Sequence, residues 1–322
     1  MARKDELTER PSSSKAKPLP GPVLVTGAAG FAGSHLMREL EMGEGDAATD
    51  VTDDFPAPAG VRKIAWRLPS PHPDELGEFR YIVHLAAISS VSRTLNDIRR
   101  AFEVNLMGTI SVLEYAAARC PGARILLVSS AEVYRPADRP MNEDWGIGPI
   151  NPYGSSKASA EITACQIAGN HGLDLVVARP FPHLGPGQSG NFALPSFCRR
   201  IIAARREGAG SIRVGNLSPV RDYLYVSDVV RAYRRILDSG SSGSVYNVCT
   251  GTGCSMADMV RMLMDIAGVR LELEADPDLS RPVDVKFQVG DPSRIRSQLG
   301  WTPEVDRKEG MRRLFSWWEA RT

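Results

Sequence analysis

The sequence predicts an α/β fold, a Rossmann-type doubly wound parallel sheet with a smaller, interleaved substrate-binding lobe. Three observations carry this. Short apolar runs alternate with helix-period stretches through the first half of the chain. A glycine-rich turn joins the first of those runs to the first helix. After Pro180 the alternation loosens into shorter pieces.

Taken in order, the strands are Val23–Val25, a run ending near Asp50, Tyr81–Leu85, Arg124–Val128 and Leu173–Ala178. Helical patterns begin near Phe31 and run over 102–118 and 155–170. Beyond Pro180 come a Gly/Pro/Ser-rich loop, a helix over 195–207, short strands at Ile212–Val214 and Val245–Val248, a helix over 255–268 and a C-terminal helix. The expected organisation is a disordered arm over 1–20, a dinucleotide-binding domain over 21–180 with a return segment at about 221–248, and a second lobe from 181–220 and 249–322. Ligands of such sheets bind at the carboxyl ends of the strands.

The bulk numbers narrow the function classes. The 322 residues carry a net charge of +1, which offers no broad pull toward nucleic acid or an anionic membrane. Five scattered cysteines without a C-x-x-C pair and five histidines without ligand spacing argue against a disulfide framework and against a metal site. No apolar run approaches the ~18 residues of a membrane span, and residues 1–22 lack the apolar centre of a signal peptide. A cytoplasmic protein is expected.

The turn Thr26-Gly27-Ala28-Ala29-Gly30-Phe31-Ala32-Gly33 has its glycines at G-x-x-G-x-x-G. Strand before and helix after make it a pyrophosphate cradle. Gly27, Gly30 and Gly33 allow a tight turn and close backbone approach, and the helix start at Phe31 and Ala32 offers N–H groups. Asp50 lies about twenty residues further on, where an acid bonds the adenosine ribose. It favours NAD(H) over NADP(H), although Arg62, Lys63 and Arg67 are placed to reach a 2′-phosphate.

Tyr153-Gly-Ser-Ser-Lys157 is Y-x-x-x-K at a helix start, and positions four apart share a face. A lysine there can draw the phenol from its ordinary pKa near ~10 toward ~7, which takes roughly 4 kcal/mol. Ser130 follows the strand ending at Val128 and is placed to bond a substrate oxygen. The plainer readings are an exposed helix turn and a serine-capped loop. The ordered occurrence of the glycine loop, His84-Leu85-Ala86-Ala87, Asn105, Ser130, Tyr153 and Lys157 favours a dehydrogenase site.

These residues resemble the extended short-chain dehydrogenase/reductase family over residues 22–320, through T-G-A-A-G-F-A-G, H-L-A-A, N-L-M-G-T, S-S-A-E-V-Y and N-P-Y-G-S-S-K. The resemblance implies Tyr153 as acid/base, Lys157 as its assistant and Ser130 as a carbonyl hydrogen bond. It also implies cofactor contacts at Leu85, Ala86, Ala87, Asn105, Ser129, Pro180, Phe181 and His183. The second half is similar to the nucleotide-sugar branch, above all to GDP-4-keto-6-deoxymannose reductases. Its runs from Val214 through Asn216 and Arg221, from His183 to Gln188, and at Arg281 imply substrate contacts at Ser89, Glu132, Gln188, Val214, Asn216, Arg221 and Arg281. A GDP-linked or other nucleotide-linked sugar is the implied partner, and a homodimer through helices 102–118 and 155–170 the implied assembly.

Three departures from the family pattern stand out: Pro182 where Asn precedes the histidine, Arg135 where Gly follows Tyr134, and Arg67 where an acid is common. Glu132 suits a dehydratase, where an acid here helps remove water, and equally a reductase. Reduction of a 4-keto sugar is the leading reading. The alternatives are a dehydratase or 4-epimerase recycling its own NAD, and a catalytically silent NAD(P)-binding sensor, against which Tyr153 and Lys157 both count.

Overall fold

The computed structural model describes residues 18–279 and 285–322. All but the last three residues of the expected arm, and Arg281, lie outside them.

Seven parallel strands form the central sheet. Their spatial order is Val245–Val248, Asp174–Pro180, Arg124–Val128, Tyr81–His84, Val23–Thr26, Ala47–Asp50, Arg62–Ala65. Val23–Thr26, Tyr81–His84 and most of Arg124–Val128 are buried along their length, as expected of strands covered on both faces. The order reverses between Val23–Thr26 and Tyr81–His84, the crevice where such sheets hold ligands.

The helix pattern expected over 102–118 is a composite. Ile98–Phe102 and Gly108–Arg119 are α-helical, and Glu103–Met107 between them is a π-helical turn holding the buried Asn105. The helix expected over 155–170 starts earlier. Asn151 caps it by accepting from the Gly154 N–H at 2.8 Å, Pro152 fills its first turn, and Gly172 ends it in the left-handed region, giving Pro152–His171.

The helix Val226–Ser239 is not foreseen in the sequence reading. Val226, Val229, Val230, Tyr233, Ile236 and Leu237 bury one face of it. At about 1.5–3 kcal/mol per large apolar side chain, this stripe anchors it strongly against the core. It leads into Val245–Val248 at the sheet edge. The remaining strands are short. Val220–Arg221 lies between Cys254–Ser255 and Phe287–Gln288, Leu224–Tyr225 pairs with His183–Leu184, and Ser211–Val214 pairs with Glu272–Ala275. Among the described residues no helix is long and apolar enough to cross a membrane, and no group of His, Cys, Asp or Glu could hold a metal ion.

Candidate active site

The glycine loop leaves the central sheet at the crevice. Gly27 has φ +71°, and a Cβ there would stand 2.6 Å from the Ala86 nitrogen, so only glycine lets this turn meet the Leu85–Ala87 segment. Gly30 caps the helix Phe31–Glu39 with no side-chain hydrogen bond and no acid in the first turn. The helix start, with Phe31, Ala32 and Gly33, therefore presents N–H groups and a positive dipole end. Asp50 ends its strand beside the loop, accepting from Ala29 N at 3.0 Å. From the far side, the His183 ring stacks on Phe31 at 5.7 Å and 12°, and His35 bonds the Pro186 carbonyl. Burial holds His183 below its ordinary pKa, so it is neutral there. These features fit a dinucleotide: a close-approach turn, an uncapped helix start and an acid at the neighbouring strand end.

A buried hydrogen-bond chain ties this loop to the Tyr153 helix. Thr109 Oγ1 donates its one proton to the Asn105 carbonyl at 2.6 Å. It must then accept from His84 Nε2 at 3.1 Å, which leaves His84 Nδ1 to accept from Thr26 Oγ1 at 2.7 Å. Burial, then the Lys157 charge, pulls His84 down to about 3, so the ring is neutral as this tautomer requires. The Asn105 side chain exchanges hydrogen bonds with Ile88 and donates to Ser156 Oγ at 2.8 Å, and Ser156 donates to the Tyr153 carbonyl. Asn105 is wholly buried and its amide is spent on these partners.

Tyr153 approaches the turn Ala131–Val133 because its neighbour is glycine. A Cβ on Gly154 would fall 2.3 Å from the Glu132 carbonyl oxygen. Ser130 bonds the phenol, and the Glu132 carboxylate lies close enough to act on it electrostatically. Asn151 Nδ2 donates to Glu132 Oε2 at 2.7 Å and Gln288 Nε2 to Oε1 at 3.2 Å. Burial pushes the Tyr153 phenol up to about 12. The Ser130 hydrogen bond lowers it, and Glu132 raises it. Desolvation and the neighbouring carboxylate both work against loss of the phenol proton. Lys157, one turn on, is buried and depressed to about 8 by that burial, against a raising influence from Glu161.

Ser129 has its hydroxyl turned away, donating to Glu161 Oε2 at 2.5 Å. Its N–H is also spent, on the Ala178 carbonyl at 2.8 Å. Pro180 and Phe181 are buried at the end of their strand, and Ser89 is exposed in the loop after Ala87. Gln188 donates to the His183 carbonyl at 2.8 Å, and its buried Oε1 has no partner.

Beyond Pro180, Val214 is buried at its strand end, and Asn216 is exposed with its Oδ1 taken by Ser218. Arg221 stands in register with Gln288, which carries its strand next to the amide that reaches Glu132. Its neighbour Asp222 accepts from Thr250 N, Thr250 Oγ1 and Gly251 N. The sequence reading gave no role to Asn151, Gln288, Glu161 or Arg179. Asn151 had a signal, a capping residue before Pro at a helix start; Gln288, 156 positions from Glu132, had none.

Residues 76–314 match the family model described as GDP-mannose 4,6 dehydratase. The chain belongs to this family. It is thereby a nucleotide-sugar enzyme of the extended short-chain dehydrogenase/reductase type, which uses NAD(P). The GDP-6-deoxy-D-mannose reductase of Pseudomonas aeruginosa is 34% identical, over 93% of this chain and 97% of its own. A dTDP-glucose 4,6-dehydratase of Streptomyces griseus is 31% identical, over 92% and 93%. Among solved structures, RMD from Pseudomonas aeruginosa complexed with NADPH superposes with a TM-score of 0.81 at 33% identity, covering 94% of this chain and all of that one. MoeE5 in complex with UDP-glucuronic acid and NAD gives 0.83 at 31%, with the same coverage. The family thus embraces reductases and dehydratases on one scaffold, and the departures at Pro182, Arg135 and Arg67 leave membership intact.

Proposed function

We propose that the protein reduces the 4-keto group of a GDP-4-keto-6-deoxyhexose with NAD(P)H. The observation that carries this is the close packing of the Tyr153 helix start, through Gly154, against the turn that bears Ser130 and Glu132. Reduction needs a proton donor at the carbonyl oxygen, and a phenol that carries its proton at neutral pH serves as one. When bound, the cofactor supplies the hydride to C4. Ser130 holds the keto oxygen, Tyr153 gives it the proton, and Lys157 maintains positive charge behind the phenol. The glycine loop with Asp50 and His183 holds the dinucleotide, and Arg221 takes a diphosphate oxygen of the sugar donor, for which a planar fork is suited. The likeness to the Pseudomonas reductase supports GDP as the nucleotide.

The organisation that goes with this reading is a cofactor domain over 21–180 completed by the returning Val226–Val248 segment, and a sugar-nucleotide lobe from the remainder. Assembly as a homodimer is supported by Leu95, Ile98, Met107 and Ile162, large apolar side chains about half exposed on the neighbouring helices. A cytoplasmic setting accords with five free cysteines.

The test is isotopic. Incubation of GDP-4-keto-6-deoxymannose with nicotinamide-deuterated NAD(P)H should place one deuterium on C4 of the sugar. Turnover of that sugar with no deuterium gained would refute the reading.

A further inference from the structure

We propose that Gln288 is a positioning residue for Glu132: with Asn151 it pins that carboxylate at the start of the helix that carries Tyr153, and so fixes the charge the catalytic phenol faces. The inference rests on the functional reading above for the direction of the chemistry.

The geometry is that of a two-sided clamp. Asn151 Oδ1 is committed to the Gly154 N–H at the helix cap, which fixes its Nδ2 as the donor to Glu132 Oε2. Gln288 reaches the other oxygen from the opposite lobe. Its backbone is fixed by the ladder with Val220–Arg221 and by the Asp222 N–H on its carbonyl at 3.0 Å. The side chain is buried, and its Oε1 has no partner. Burying an unpaired acceptor is unfavourable, so packing alone gives no reason for an amide here. The bond that offsets it is the one to a charged oxygen. The Glu132 backbone N–H donates to Ser130 Oγ at 3.1 Å, so the turn carrying it is held as well.

The consequence falls on Tyr153. The titratable groups around its phenol are Glu132 from the turn, Lys157 on its own helix and Tyr233 from Val226–Ser239. Glu132 is the group among them that raises it, beyond burial itself. A carboxylate released from Gln288 can swing away, and the phenol then loses its proton at lower pH.

The experiment is a double-mutant cycle of Gln288→Met and Glu132→Gln, read by the pH profile of keto-sugar reduction. Glu132→Gln should move the alkaline limb to lower pH, because the charge that keeps the proton on is gone. Gln288→Met should move it the same way by less, with a loss of roughly three- to tenfold in kcat. In the Glu132→Gln background the Met substitution should add nothing. Additive losses, or a Gln288→Met effect confined to KM with an unmoved limb, would overturn the proposal. Should Gln288→Met fail to fold, Gln288→Glu takes its place. Its second acceptor should cripple the enzyme alone and be rescued by Glu132→Gln; absence of rescue overturns the proposal too. The same cycle read by melting temperature needs no substrate and has to show coupling. A wild type inert on keto sugars with coupled melting thus fails the functional reading alone, whereas additive melting shifts fail this inference.

Discussion

Arg179 grips the carboxylate of Glu161 through Nε and Nη2, the latter at 2.5 Å from Oε1, in a pair that is buried on both sides. Ser129 donates to the same carboxylate, and the Arg179 guanidinium lies 4.7 Å from the centre of the Tyr134 ring. Glu161 is one turn beyond Lys157 on the same helix face. Removing the arginine would strand a buried charge under the catalytic helix. Arg179→Met is therefore expected to cost about 3–5 kcal/mol of folding stability, measured by chemical denaturation. A loss within the range of ordinary surface substitutions would show that the pair is not doing this.

Lys157 gives a pH dependence of defined sign. Its folded pKa of about 8 lies below the ordinary 10.5. Between those values the unfolded chain holds a proton that the folded chain has released, so stability rises with pH across that window, by up to about 1.4 kcal/mol per pH unit. The difference in melting temperature between wild type and Lys157→Met should shift in favour of the wild type as pH rises from 8 toward 10.5. A difference that is flat or moves the other way contradicts a buried, depressed amine.

The parts that were legible in the sequence are those written in local spacing. The glycine turn between strand and helix, the buried strands at 23–26, 81–84 and 124–128, and Y-x-x-x-K in a capped helix are each contained in a few consecutive residues. The helix Val226–Ser239 was hidden because Tyr223-Leu224-Tyr225-Val226 reads as an aromatic strand. Arg231, Arg234 and Arg235 also interrupt the apolar stripe that follows. Glu161 with Arg179, and the partner of Glu132, Gln288, could not be read at all. Their meaning is a contact between distant segments, and of these residues Glu132 alone stood in a motif. The lysine of Y-x-x-x-K is visible in the motif, whereas the burial of Tyr153 and the orientation of Glu132 are properties of the fold.

The assignment of Arg221 to the sugar diphosphate predicts an effect on substrate affinity. Losing a buried charge-assisted contact to a diphosphate costs about 1.5–3 kcal/mol. Arg221→Ala is expected to raise KM for the nucleotide sugar and leave NAD(P)H binding unchanged, as read by steady-state kinetics and by cofactor titration. Weakened cofactor binding with an unchanged sugar KM would contradict its assignment to the sugar side.

Pro182 stands where the family has asparagine. Its carbonyl accepts from Leu224 N at 2.9 Å, so its backbone is locked, while nearby Gln188 keeps an unpaired buried acceptor. An acceptor so placed would compensate for an asparagine carbonyl that received a sugar hydroxyl. Pro182→Asn is accordingly expected to change kcat/KM toward GDP-4-keto-6-deoxymannose by less than about tenfold, or roughly 1.4 kcal/mol. Gain of activity in a variant of an inert wild type would point to a different natural sugar.

The most direct measurement is the balance between cofactor and product. Purified enzyme is given GDP-4-keto-6-deoxymannose and limiting NAD(P)H, and in parallel GDP-mannose with no added reductant. Oxidation of one nicotinamide for each 4-hydroxy product, with GDP-mannose left untouched, is the result this account predicts. Loss of water from GDP-mannose with no net change in the nicotinamide would contradict it and identify a dehydratase.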